Sequence, residues 1–472
     1  MSSGLALVKG AEMNVAYSVT KLLLGGQLYG DPDLPPFDIT QYSPGYYFLA
    51  AWVCKLLGVQ ALDTTAVVTT SRGVSLALAL TTCAGAGVLL RKTLRVPLWI
   101  SIVGCASIAC VILPWSYLAR PDALVDLLVF AAFWCGLEAT ARGANRRWVL
   151  TAGALALVAG LAKQNGLIAL AFAVLPSLVH RRWAQIVGSL GVLGGAIAMG
   201  GLLLPVLFGP FLWRHVIDGV RQSLNVYAAV NLIYLVAFIE FGPLLATTLV
   251  IMHHWVEERC TPPLVRYLVA TQLILWGVMA ATALKDGADR NYLDEPLVLT
   301  MILAAAGLTT TIDGAPPLPG SKGFRVLGTW VALFTLTIAT SQFYLGVYGR
   351  SESRSLRPVP DQTFAAFEPA RAWLREGLTA TPDARLMSFA FPLIPMMADR
   401  VIIPQRELAE NALSKGMVDY GTLVRMAHDG TLRFIVSPAE RPLPARYLGM
   451  DFQPYVLVKH IDGLNIYEWQ SR

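Results

Sequence analysis

Charge is scarce in this chain: only 14% of its 472 residues are Asp, Glu, Lys or Arg, against 55% hydrophobic, and the mean hydropathy is +0.55. That balance excludes an ordinary soluble globular protein and predicts a polytopic membrane protein. Cysteine is also sparse. Cys54, Cys83, Cys105, Cys110, Cys135 and Cys260 are scattered, mostly through apolar runs, without CxxC or CxxxH spacing. This excludes a cysteine metal site or redox pair and leaves buried thiols. The C-terminal region has no Gly-rich phosphate loop or clear catalytic triad, so catalysis is not expected there. There is no internal repeat and no visible signal peptide, since "MSSGLALVKG" is too short and too weakly apolar. The net charge of +6 does not argue for nucleic acid, because Lys and Arg gather in cytoplasmic loops for topological reasons.

What is there is a series of apolar runs at 73–90, 97–118, 123–141, 148–162, 166–180, 184–208, 229–252, 266–284, 295–312 and 326–348. They predict an all-α polytopic membrane bundle of about ten transmembrane helices. Basic clusters place "RKTLR", "ARGANRR", "HRR", "EERCTPPLVR" and "GSKGFR" on the cytoplasmic side, so every second loop is basic. "KQNG" then becomes the outer turn of a hairpin. The other outer segments are "LARPD", the 209–231 loop, "KDGADRNYLDEP" and everything after Tyr348. Three regions follow: 1–72, an outer first-loop region with interfacial helices; 73–350, the transmembrane domain; and 351–472, an extracytoplasmic α/β domain. The short apolar segment 45–58 suits an interfacial or re-entrant helix. With both ends outside, one further helix is expected upstream, for about eleven crossings.

In the C-terminal region, 368–378 and 420–430 read as amphipathic helices, and 384–391, 432–438 and 455–469 as strands. The last is a hairpin around Asp462-Gly463.

Charged residues at a membrane edge are costly and therefore candidates for function. In "RPD", Pro121 and Asp122 equally read as ordinary helix-start residues. Asp126, one turn deeper on the same face, does not. Lys163, Gln164 and Asn165 form a tight turn that reads either as a helix end or as a recessed site where Lys163 meets an anion. Glu240 lies in an apolar span. Arg214, His215, Arg221 and Tyr227 fit a solvated amphipathic helix. Glu12 alone reads as a surface carboxylate in an exposed loop, and "KDGADRNYLDEP" as a polar turn that stops two helices.

Taken in order, these pieces resemble a known family. An acidic residue is followed by "GGQLYGDP" and by "YSPGYYFL" leading into a short helix; then come "RPD", "KQNG" and "GADRNYLDE". Over about residues 10–350 the chain is similar to the polytopic GT-C glycosyltransferases, in the bacterial branch of protein O-mannosyltransferases and aminoarabinose transferases. The resemblance implies an inverting transferase that moves a sugar from a polyprenyl-phosphate donor to a lipid, glycan or protein acceptor at the outer face of the inner (plasma) membrane, among membrane lipids. It places the catalytic carboxylate at Glu12, with Asp31, Asp33 and Asp38 as alternatives because Ala11 precedes Glu12. It places donor phosphate and sugar contacts among Arg120, Asp122, Lys163, Gln164, Asn165, Lys285, Asp289, Arg290, Asn291, Tyr292 and Glu295. Tyr42, Tyr46 and Tyr47 are first-loop candidates. A divalent metal ion stays open: carboxylates are suitable ligands, but no ligand spacing stands out and His215 is the only outer-loop His of the membrane portion. Other readings are a lipid-linked sugar transporter or flippase and a non-catalytic envelope assembly protein.

Overall fold

The computed structural model describes residues 11–116, 118–220, 224–236, 241–257, 262–285, 293–309, 364–390, 393–441 and 443–471. The expected span 326–348, and Arg221, Glu240, Asp289, Arg290, Asn291 and Tyr292, lie outside the described residues.

The membrane portion opens with α1 (Ala11–Leu23) and α2 (Gly45–Leu56). At 12 residues α2 is roughly 18 Å long, too short for a hydrocarbon core of about 30 Å. One face buries Tyr46, Tyr47, Ala50 and Cys54, while Phe48, Trp52, Leu56 and Leu57 are exposed. Pro44 leads into it, and Gly45 lets the chain pass α6, since a Cβ there would lie 2.7 Å from the Leu161 carbonyl oxygen.

There follow α3 (Thr64–Val88), α4 (Leu98–Ser116), α5 (Asp122–Ala141), α6 (Arg146–Ala162), α7 (Leu170–Val179) and α8 (Trp183–Phe208). The shorter segments α9 (Leu212–Val216) and α10 (Val226–Ile233) precede α11 (Gly242–Glu257), α12 (Pro263–Ala283) and α13 (Asp294–Thr309). α3 starts at Thr64, earlier than the apolar run suggests, because Asp63 caps it by accepting from the Ala66 N–H at 2.9 Å. The single span expected over 229–252 is two helices, α10 and α11. α11 starts at Gly242, with Pro243 in its first turn, where proline suits a helix start.

Among the described residues, four helical segments are long and apolar enough to cross a membrane: Thr64–Thr93, Asp122–Ala141, Trp183–Phe208 and Pro263–Ala283. Leu98–Leu113, Gln164–Val179, Val226–Val236 and Leu244–His253 are apolar but shorter. The expectation of about ten crossings goes beyond the four that meet the length. Most of these helices share one core. At its centre the rings of Phe133 and Tyr267 stack with centroids 5.9 Å apart, and the Tyr267 hydroxyl donates to the Phe133 carbonyl at 2.9 Å.

The C-terminal region carries α14 (Glu368–Thr379), β1 (Arg385–Ser388), α15 (Leu393–Met396), β2 (Val401–Ile402), α16 (Arg406–Ser414), α17 (Gly421–Asp429) and β3 (Leu432–Pro438). A two-stranded ribbon, β4 (Arg446–Tyr447) and β5 (Met450–Asp451), precedes the hairpin of β6 (Tyr455–Ile461) and β7 (Leu464–Trp469). The sheet order is β2-β1-β3-β7-β6, with β2, β1 and β3 parallel and the hairpin antiparallel. Asp462 and Gly463 take the positive φ values (49° and 76°) that a two-residue hairpin turn demands.

This domain shares its two hydrophobic clusters with the membrane portion. Met13, Ala16, Tyr17 and Val68 pack with Leu374, Ile394 and Met396, and Phe37 and Ile39 with Ile402, Ile403 and Leu423. Each fully buried large apolar side chain stabilises this junction by about 2 kcal/mol. The carboxyl ends of β1 and β2 therefore face α1 and the loop after it.

Candidate functional site

Glu12 is not in an exposed loop. It occupies the first turn of α1, where an acid complements the helix dipole, and is 1% exposed. Arg72 of α3 grips it side-on, Nε 2.6 Å from Oε1 and Nη2 2.6 Å from Oε2, and the Ala119 N–H donates to Oε1 at 2.8 Å. Ala119 leads into the RPD turn, so Glu12 fixes the backbone on which Arg120 and Asp122 are presented.

Tyr46 closes the same constellation. Its hydroxyl lies 2.9 Å from the Ser71 carbonyl oxygen and 2.7 Å from Ser75 Oγ, and Ser75 donates to the Arg120 carbonyl at 3.2 Å. Both Glu12 and Asp122 act on Tyr46 electrostatically. Tyr47 is buried in the cluster beneath the first loop.

Lys163 is buried, as a recessed turn requires. Its Nζ lies 2.7 Å from Asp122 Oδ1 and 5.6 Å from the centre of the Tyr42 ring, while Arg120 Nε lies 3.4 Å from Asp122 Oδ2. Gln164 pins loops: its Nε2 donates to the carbonyls of Gln41 and Val216, each at 2.8 Å. Asn165 Oδ1 is buried with no hydrogen-bond partner. Gly166 is required sterically, since a Cβ would sit 2.4 Å from the Ala159 carbonyl oxygen. Asp126, Asp294 and Glu295 are buried on α5 and the first turn of α13, which pack together, and Asp126 feels the charges of Glu295, Asp294, Asp122 and Lys163.

Lys285 follows α12 and is held by backbone pairing to Leu224. Burial, reinforced by Lys163 and Lys415, pushes its ammonium down to about 8. No carboxylate among the described residues pairs with it. Lys163 already has the Asp122 carboxylate, so it is Lys285 that an anion would relieve.

The loop after α1 is laced to its surroundings. Lys21 donates to Asp38 Oδ2 at 2.5 Å and to the Leu28 carbonyl at 2.8 Å. His215 belongs to no solvated surface: it is 1% exposed, its Nδ1 accepts from the Thr40 N–H at 3.0 Å, and its Nε2 lies 2.7 Å from the Gly30 carbonyl. That geometry requires the neutral ring with its proton on Nε2. Burial lowers its basicity, against the Gly30 hydrogen bond and Asp38. Arg214 forms a fork with Asp33 at 2.8 and 3.1 Å and donates to the Met417 carbonyl at 2.6 Å; the Asp419 N–H also donates to Asp33. Burial works to raise the Asp33 carboxyl, but the Arg214 and Asp419 bonds outweigh it and hold the group below its ordinary range. The C-terminal domain adds two more ties: the Ile39 N–H donates to Gln405 Oε1, and the Ile403 N–H to the Pro36 carbonyl.

Glu12, Arg120, Asp122, Lys163, Tyr42 and Tyr46 thus come together, with Lys285 near Lys163. Arg72, Lys21 and Lys415 were not identified from the sequence. A guanidinium inside an apolar helix was the available signal for Arg72. No group of three or more His, Cys, Asp or Glu side chains among the described residues is placed to hold a metal ion.

No family model matches the chain, and no curated protein matches it. Solved structures do. ArnT from Cupriavidus metallidurans bound to undecaprenyl phosphate aligns over 99% of this chain and 94% of its own, at 14% identity and TM-score 0.57; its apo structure gives 15% and 0.55. The oligosaccharyltransferase AglB from Archaeoglobus fulgidus, in complex with an inhibitory peptide and a dolichol-phosphate, aligns over 93% of this chain and 66% of its own, at 12% identity and TM-score 0.54. Both are GT-C proteins, and the chain shares their fold along nearly its whole length.

Proposed function

We propose that this protein is an integral membrane glycosyltransferase that moves a sugar from a polyprenyl-phosphate donor to an acceptor at the extracytoplasmic face of the inner (plasma) membrane. The observation that carries the reading is the buried Glu12 carboxylate, held by Arg72 and by the Ala119 N–H beside the RPD turn, where Arg120 and Lys163 converge on Asp122. Undecaprenyl phosphate in ArnT and dolichol-phosphate in AglB, which share the fold, support a lipid-phosphate donor.

In this reaction Glu12 accepts the acceptor hydroxyl proton as the acceptor oxygen attacks the anomeric carbon. The bond from that carbon to the phosphate oxygen breaks, with inversion, and its electrons leave on the lipid phosphate. Arg120, Lys163 and Lys285 stabilise that charge. Asp122 and Glu295 meet the sugar hydroxyls or hold the cations in place. The first loop and the carboxyl ends of β1 and β2 form the acceptor side.

The test is purified protein in liposomes loaded with a polyprenyl-phosphate sugar labelled in the glycan. Transfer to a lipid, glycan or peptide acceptor with release of polyprenyl phosphate is expected. Movement of intact donor between leaflets without transfer identifies a flippase and overturns the proposal.

A further inference from the structure

Resting on that reading, we infer that Arg72 is a donor-phosphate ligand stored on the catalytic carboxylate, and that arrival of the lipid phosphate draws it off Glu12. In the structure Arg72 occupies both Glu12 oxygens at 2.6 Å, and the Ala119 N–H takes a further acceptor position on Oε1. A carboxylate so engaged has little capacity left for an acceptor proton. The partners are not equally enclosed: the Arg72 side chain is 14% exposed and that of Glu12 0%. Arg72 is therefore the member of the pair whose side chain is open to its surroundings. Its neighbours are the right ones, because Ser75, one turn along α3, bonds the Arg120 carbonyl, and Arg120 and Lys163 converge on Asp122.

The exchange keeps Arg72 paired, while Glu12 gives up its counter-charge. The planar fork that grips a carboxylate side-on grips a phosphate equally well, with no proton moving. Glu12 keeps the Ala119 N–H, which holds its position, and regains the lone pairs that receive the acceptor proton. The exchange also favours the forward reaction. A sugar phosphodiester carries one negative charge and the departing monoester gains a second, so the Arg72 contact strengthens as the bond breaks. A protein without donor then keeps its base occupied.

The experiment measures affinity for undecaprenyl phosphate in nanodiscs for wild type, Glu12→Gln and Arg72→Lys, each checked by thermal unfolding. Exchange requires opposite shifts: roughly tenfold tighter binding for Glu12→Gln, which no longer competes for Arg72, and roughly tenfold weaker binding for Arg72→Lys. Glu12→Asp is measured beside it, because it keeps the negative charge while its shorter side chain cannot complete the side-on pair: exchange predicts tighter binding there too, whereas a purely structural pair, for which Glu12→Gln tightens binding only by removing a repelling charge, gives none. Unchanged or weaker binding in either folded Glu12 variant, or unchanged binding in Arg72→Lys, overturns the exchange alone. A wild type that binds no undecaprenyl phosphate overturns the functional reading and the exchange with it.

Discussion

Glu12 and Arg72 lie 60 residues apart and meet in a side-on pair, each nitrogen-oxygen contact 2.6 Å long, with the Glu12 side chain fully enclosed. The pair joins the helix that precedes the first loop to the first long apolar helix. Replacing Arg72 by Ala leaves a buried carboxylate without its counter-charge, at a cost of about 3–5 kcal/mol. Denaturation in detergent should show a large loss for Arg72→Ala, and a much smaller one for Arg72→Ala combined with Glu12→Gln.

His215 makes the first loop acid-sensitive. Its basicity is lowered in the folded protein, so the unfolded chain takes up the proton first as pH falls. The stability it contributes is complete above its ordinary value of about 6.5 and is lost as pH falls through the lowered folded value. His215→Asn retains an acceptor for the Thr40 N–H but does not titrate. Melting curves between pH 7.5 and 5 should fall less for this variant than for wild type.

Lys285 predicts a second pH effect, of opposite limb. Its ammonium is pushed down to about 8, so the ligand-free protein loses this charge above that pH, and an anion must restore it. Affinity for a lipid phosphate should decline as pH rises from 8 to 10, where the phosphate itself has finished titrating. Lys285→Arg should flatten the decline.

Gly166→Ala tests the tight turn after α6. The added Cβ falls 2.4 Å from the Ala159 carbonyl oxygen, and backbone must move. A loss of about 1–3 kcal/mol is expected, together with weaker holding of Lys163 against Asp122, read as reduced lipid-phosphate affinity.

The C-terminal domain was readable because its signals are local. Short runs rich in β-branched and aromatic residues mark β3, β6 and β7, and Asp462-Gly463 marks the turn between the last two. The hairpin of α6 and α7 was readable from the basic clusters at both ends. The 229–252 run reads as one span because apolar composition continues through Gly242-Pro243, where α11 starts. In the site, Arg120, Asp122 and Lys163 could be found as charges at helix ends, and Glu12 only through the family resemblance. Their partners could not, because the Arg72 contact spans 60 residues and the Arg214 to Asp33 contact 181, and no periodicity records such distances. The bracing role of Gln164 was equally hidden, because its bonds to the Gln41 and Val216 carbonyls reach 123 and 52 residues along the chain.

The most direct measurement is single-turnover release of polyprenyl phosphate from a lipid-linked sugar by wild type and by folded Glu12→Gln, with acceptor in excess. The account predicts release by wild type and a rate roughly 10²–10⁴-fold lower in the variant, the range expected for a lost general base. Equal rates in the two proteins would contradict it.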